Sequence, residues 1–209
     1  MHIVISGNIG SGKTTLTKML ARHYGWVERL ESVTYNPYLA DYYNDMKRWA
    51  LNLEVYFLKE RFRDLLEIAK SKKPVIQDRS IFEGVYIFTA NNHDMGNMSD
   101  RDYETYMGLF ESMMMVAKEP DLMIYLKSSV PHLVDNINKR GRSYEQNMRL
   151  DYLKNLNDRY DRFFSRQYKG SCVTVDVEKM DFLHRREDFA TITKIINSKL
   201  DLGGSSLFG

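Results

Sequence analysis

The sequence predicts an α/β fold of about five parallel strands with helices on both faces. Three observations carry that expectation. Short apolar runs alternate with amphipathic helical stretches. A glycine-rich loop joins the first run to the first helical stretch. Pro74 and Pro120 stand where helices should give way to strands. The first run, residues 2–6, ends at glycine, and a helix is predicted over 13–24. Residues 26–30 form a second strand, polar enough for a sheet edge. A long helix follows over about 45–71, then a strand at 74–77. Helices at 100–118 and 130–140 flank a strand at 121–126. A helix at 150–167, a strand at 172–176 and a helix at 187–199 complete the pattern. The central runs are β-branched or nearly continuously apolar, as strands covered on both faces tend to be.

No internal repeat or low-complexity linker divides the chain, so residues 1–202 read as one domain and 203–209 as a flexible tail. Thirty Lys and Arg against 28 Asp and Glu give a formal net charge of +2, too little for a nucleic-acid-binding surface. A hydrophobic content of 43% is that of an ordinary globular protein and argues against disorder. No apolar run approaches the ~18–20 residues of a membrane-spanning helix. The lone Cys172 cannot form an internal disulfide, which predicts a reducing, cytoplasmic setting and an inert buried thiol. With a strand expected almost at Met1, no signal or transit segment is expected ahead of the fold.

Gly7, Asn8, Ile9, Gly10, Ser11, Gly12, Lys13 and Thr14 fit G-x-x-x-x-G-K-[ST], in the strand-loop-helix context that motif requires. Its backbone N–H groups and the helix amino terminus cradle phosphate. Lys13 reaches the β- and γ-phosphates, and the Thr14 hydroxyl ligates Mg²⁺. Thr15 extends the same phosphate site. The loop alone does not separate kinases from GTPases or motor ATPases.

The carboxylates narrow the choice. Asp78 and Arg79 follow the apolar run at 74–77, at the sheet edge where open α/β folds bind ligands. A carboxylate there can hold Mg²⁺, and an arginine can neutralise a transferring phosphoryl group. Glu31 ends the second strand at the same edge and can orient an acceptor hydroxyl and take its proton. Arg140 and Arg142 around Gly141 suit a flap closing on phosphates. The bland alternatives are a helix cap at Asp78, a surface Glu31 and a solvated basic helix end.

Together these residues resemble the bacterial deoxycytidine/deoxyadenosine/deoxyguanosine kinase family. The matches run in order: the loop at 7–14, Glu31 with Asn36-Pro37-Tyr38-Leu39, Arg48-Trp49, Asp78-Arg79-Ser80, Tyr86-Ile87-Phe88, Arg140-Gly141-Arg142 and Asp181-Phe182. The resemblance implies a P-loop kinase fold with a lid at about 136–146, and transfer of the γ-phosphate of ATP to a deoxynucleoside 5′-hydroxyl in salvage. It implies Glu31 as base, Arg79 and Lys13 as catalytic partners, and Thr14 and Asp78 at Mg²⁺. It further implies Tyr43 and Glu145 on the 3′-hydroxyl, Arg140 and Arg142 as lid arginines, and a homodimer packed through helices. Val177, Glu178, Lys179, Met180, Asp181 and Phe182 resemble the loop that holds the donor base. Asn136 stands where some relatives carry another lid arginine.

The base pocket departs from the family pattern. Glu54, Arg61 and Gly84 occupy positions where relatives usually carry glutamine, arginine and aspartate. A helical projection places Glu54 and Arg61 on an apolar face with Ala50, Phe57, Leu58, Leu65 and Ile68. One reading is a Glu54–Arg61 ion pair that only stabilises the helix. The other is guanine preference. An ionised glutamate accepts from guanine N1–H and the 2-amino group, Arg61 donates to O6 or N7, and Gly84 leaves room. Aromatic residues near Phe57, Phe82 and Phe88 are candidates to sandwich the base. Two further readings stay open, a thymidylate-like monophosphate kinase and a nucleotide-binding regulatory subunit.

Overall fold

In the computed structural model, residues 1–31, 36–142 and 148–200 are described. Five strands, β1 (His2–Gly7), β2 (Val27–Arg29), β3 (Val75–Asp78), β4 (Leu122–Lys127) and β5 (Cys172–Asp176), form one parallel sheet in the order β2-β3-β1-β4-β5. All six residues of β1 and all four of β3 are buried, as expected of central strands covered on both faces. β2 is the exposed edge its polarity predicted. β5 is the other edge, so Cys172 is half-buried rather than the buried thiol expected. The register pairs Ile5 with Asp78 and Gly7 with Leu126, so the loops after β1, β3 and β4 open side by side.

Strand alternation feeds two cores. Ile3, Ile5, Ile76 and Ile124 pack on Leu16 and Leu20 of α1 (Lys13–Tyr24) and on Ile192 and Ile196 of α9 (Arg186–Lys199). Val4, Met123 and Tyr125 face the opposite way. They meet Leu58 of the long helix Met46–Ala69, Phe110 of the helix Asp100–Met114, and Leu156 and Tyr160 of the helix Leu150–Arg162. In chain order the remaining helices are α2 (Leu39–Asn44), α4 (Ile81–Glu83), α5 (Ala90–Asp94) and α7 (Val130–Arg140). The three just described are α3, α6 and α8.

Several boundaries differ from expectation. Helix α6 stops at Met114, and Met115 is 85% exposed. Helix α8 stops at Arg162 and gives way to a wider π-helical turn, Phe163–Gln167. Residues 81–94 form helix where none was expected: α4, a π-helical turn at Gly84–Thr89, and α5. The Ser80 hydroxyl and the Glu83 carboxylate cap that helix reciprocally. Ser-x-x-Glu at 80–83 is the sequence signal that would have found it. Among the described residues, no helix is long and apolar enough to cross a membrane. Residues 143–146 of the lid, with Glu145 among them, and the tail at 203–209 lie outside the described residues.

Candidate active site

All five strands deliver their carboxyl ends to one side of the sheet, and the candidate site is assembled there. The loop Gly7–Thr14 leaves β1 and enters α1. Gly10 and Gly12 both hold φ near +88°, and a Cβ on Gly10 would stand 2.6 Å from the Leu133 carbonyl oxygen. These turns need glycine for conformation and for space. Lys13 is buried, and its ammonium donates to the Asn8 carbonyl at 2.8 Å. Burial pushes its pKa down to about 7, and the nearby Arg79 charge adds to that. The Ser11 hydroxyl is buried without a partner among the described residues. Thr15 is half-buried in the first turn of α1. Asn8 ties the loop to α8, donating to the Leu153 carbonyl and to Asn157, each at 3.1 Å. Asn136 of α7 donates to the Gly10 carbonyl at 3.0 Å, so this lid-helix residue supports the loop itself.

Asp78 closes β3 beside the loop. One carboxylate oxygen accepts from the Thr14 hydroxyl, and the other is buried without a partner. Burial raises its pKa. Arg79 adopts φ 70°, a left-handed backbone rare outside glycine, held by its N–H on the Ile5 carbonyl at 3.0 Å. That turn sends its side chain into the pocket. There Nε donates to Glu31 at 3.0 Å, Nη1 to the Tyr160 hydroxyl, and the guanidinium lies 4.6 Å from the Phe88 ring centroid. Glu31 receives a second guanidinium, from Arg61. Burial pushes the Glu31 carboxyl up, but Arg79 and Arg61 outweigh that and hold it at about 2.

Sequence reasoning passed over Glu83. It is fully buried and accepts from the Ser6 hydroxyl at 2.7 Å, the Ser80 N–H at 2.8 Å and the Tyr160 hydroxyl at 2.8 Å. It thereby links the end of β1 to the turn that carries Arg79. Tyr160 was missed as well, because nothing in a helical tyrosine distinguishes it from core.

A cavity of about 210 Å³ runs from the loop to the base end. Arg140 and Arg142 line it; Lys13, Thr14 and Asp78 line one end, and Glu31 and Arg79 the middle. Tyr43, Glu54, Phe57, Arg61 and Phe88 line the other. The predicted residues from distant segments therefore do converge. The loop at 177–182 does not line this cavity. Phe182 touches the glycine loop, where a Cβ on Gly12 would stand 2.8 Å from its ring. Val177 is buried, and Glu178 accepts from the Ser129 N–H and hydroxyl at the start of α7, each at 2.8 Å. Met180 N–H closes a turn on the Val177 carbonyl, Lys179 accepts from Arg185 through its carbonyl, and Asp181 accepts from His184.

The base end corrects two expectations. Among the described residues no ion pair joins Glu54 to Arg61: Arg61 pairs with Glu31 instead. Glu54, 2% exposed, accepts from the Thr89 hydroxyl at 3.1 Å and from the Asn92 side chain at 3.0 Å. Burial pushes its carboxyl up to about 7, against the pull of the more distant Arg61 charge and these two hydrogen bonds. Gly84 does not line the cavity. The space it leaves is filled by Arg61, whose Nη1 would overlap any Cβ placed there. Arg61 stacks 4.8 Å from the Phe57 ring centroid, and its Nε and Nη1 are buried without partners among the described residues.

A family model described as deoxynucleoside kinase matches residues 3–201. The chain is 36% identical over 198 residues to a deoxyadenosine/deoxycytidine kinase of Bacillus subtilis, covering 94% of this chain and 91% of that protein. It is also 36% identical to a deoxyguanosine kinase of Lactobacillus johnsonii, covering 95% and 92% of the two. The solved deoxyadenosine kinase from M. mycoides with bound dATP superposes with a TM-score of 0.84 at 30% identity, covering 94% of this chain and 100% of that one.

Proposed function

The chain belongs to the deoxynucleoside kinase family, and from that premise we propose that it transfers the γ-phosphate of ATP to a deoxynucleoside 5′-hydroxyl, with deoxyguanosine preferred. One observation carries the base preference: Glu54 and Arg61, two turns apart on α3, both line the cavity, and Arg61 keeps guanidinium nitrogens without a partner among the described residues. The Arg61 guanidinium suits the acceptors of guanine, O6 or N7. Glu54 suits its two donors, N1–H and the 2-amino group. Adenine and cytosine present an amino donor where guanine has O6.

At the phosphate end, the glycine loop and Lys13 hold the triphosphate, and Arg140 and Arg142 stand ready to enclose it. Lys13 exchanges its bond to the Asn8 carbonyl for phosphate oxygen. Thr14 and Asp78 would hold Mg²⁺. The unpartnered, buried Asp78 oxygen fits a hard cation that takes one carboxylate, a hydroxyl and phosphate oxygens. Mg²⁺ supplies neutralisation of charge developing on the phosphates. Glu31, held ionised, accepts a hydrogen bond from the 5′-hydroxyl and aligns it for in-line attack. Its low pKa makes it a weak base, so its main contribution is orientation, with the proton moving late. The same anion would repel an acceptor phosphate, which disfavours the monophosphate-kinase reading. Tyr43 faces the sugar. The expected homodimer is part of this reading and is tested by light scattering of the purified protein.

Steady-state kinetics with ATP and Mg²⁺ on deoxyguanosine, deoxyadenosine, deoxycytidine and deoxythymidine test the proposal. Deoxyguanosine should lead by about tenfold or more in kcat/KM, since a buried polar mismatch costs ~1–3 kcal/mol. A lead by another base refutes the preference and leaves the kinase assignment standing.

A further inference from the structure

Resting on the guanine reading, we propose that the protonation state of Glu54 decides which base is phosphorylated: its carboxylate selects guanine, and its carboxylic acid selects adenine and cytosine. The chemistry is a matter of donors and acceptors. An ionised carboxylate only accepts, which matches the adjacent N1–H and 2-amino donors of guanine. A protonated one offers a hydroxyl donor beside a carbonyl acceptor, as a glutamine amide does. That pattern matches the ring nitrogen and amino group of adenine or cytosine; with Arg61 on guanine O6 or N7, it leaves the acid hydroxyl facing a guanine donor.

The surroundings of Glu54 make both states accessible. Both of its hydrogen bonds come from neutral groups, Thr89 and Asn92, each of which can serve the acid as well as the anion. Among the described residues no cation contacts it: Arg61, on its own helix, is committed to Glu31. The groups facing it from other elements are Tyr42 of α2, Tyr106 of α6, Tyr152 of α8 and Glu31 after β2. Burial raises all three tyrosine pKa values, keeping them neutral, and Glu31 stays ionised. Of these groups, only Glu54 changes charge near neutrality, and among the described residues no histidine lines the cavity. Lys13 also titrates near neutrality, but it lies at the phosphate end and acts on every nucleoside alike. Ratios between nucleosides cancel it.

The experiment measures kcat/KM for deoxyguanosine and deoxyadenosine from about pH 6 to about pH 8.5, in the wild type and in Glu54→Gln. In the wild type the deoxyguanosine-to-deoxyadenosine ratio should rise about tenfold or more over that range, a free-energy change of ~1.4 kcal/mol. In Glu54→Gln it should be flat and favour deoxyadenosine. A flat wild-type ratio that favours deoxyguanosine throughout overturns the inference and spares the guanine reading. A ratio that favours deoxyadenosine at the alkaline end defeats the guanine reading itself. If Glu54→Gln folds poorly, Thr89→Val provides the second arm. Removing a donor to the carboxylate should move the midpoint of the ratio to higher pH, and an unmoved midpoint overturns the inference.

Discussion

The middle of the pocket holds a half-buried glutamate and the base end a fully buried one, and the two are treated in opposite ways. Glu31 is flanked by two guanidinium groups, which outweigh burial and hold its carboxyl at about 2. Glu54 is flanked by a hydroxyl and an amide, so burial prevails and pushes its carboxyl up to about 7. Both side chains line the same cavity. Arg61 is what divides them: lying over Gly84, it reaches Glu31 and leaves Glu54 without a contacting cation. Burial alone therefore does not set a carboxylate's charge. The position of one counter-charge does, and here a missing Cβ sets that position.

Several experiments can break this contrast or sharpen it. The largest expected effect is at Glu31. Glu31→Ala should lower kcat by about 10²–10⁴-fold while nucleoside binding stays measurable by calorimetry, and full turnover would remove its role. The next is in stability. With a folded pKa of about 7 against a usual 4.5, Glu54 binds its proton more tightly in the folded state. Stability is thus intact below about pH 4.5, falls as pH rises toward 7, and stays reduced above. Glu54→Gln should recover up to about 3 kcal/mol at pH 8 and little at pH 5, read from denaturant melts. Equal effects at both pH values would contradict the raised pKa.

Smaller effects are expected where a side chain can adjust. Gly84→Ala adds a Cβ against the flexible end of Arg61, so the fold should persist while Arg61 moves. A loss of about tenfold in kcat/KM for deoxyguanosine is expected, and unchanged kinetics would show that Arg61 does not read the base. The smallest effect lies at the phosphate end, where backbone does most of the binding. Asn136→Ala removes one hydrogen bond to the Gly10 carbonyl and should raise KM for ATP by about two- to tenfold without changing base preference. A changed preference would couple the two ends more tightly than the geometry suggests.

The phosphate end was legible in the sequence because its chemistry is local. Eight consecutive residues, a strand before and a helix after suffice for the loop, and Asp78 and Arg79 follow directly from the end of a buried run. The five strands and most of the helices were legible for the same reason, since periodicity and turn residues act over short spans. The helical run at 81–94 was missed although its capping pair, Ser80 and Glu83, stood in plain view. Glu83 was thus hidden twice, as a cap and as the carboxylate joining β1 to Arg79. Projection around α3 placed Glu54 and Arg61 on the buried face. It could not say which partner each would take, because Glu31, Thr89 and Asn92 arrive from elements far away in the chain.

The sequence by itself determined the sheet, the phosphate loop and the set of charged groups brought to its edge. The tertiary structure alone decided how those charges pair. Pairing depends on distances between separate elements and on how much water remains around each group, and neither is written in local spacing. That is why Gly84, which reads as room for a base, proves to be room for Arg61.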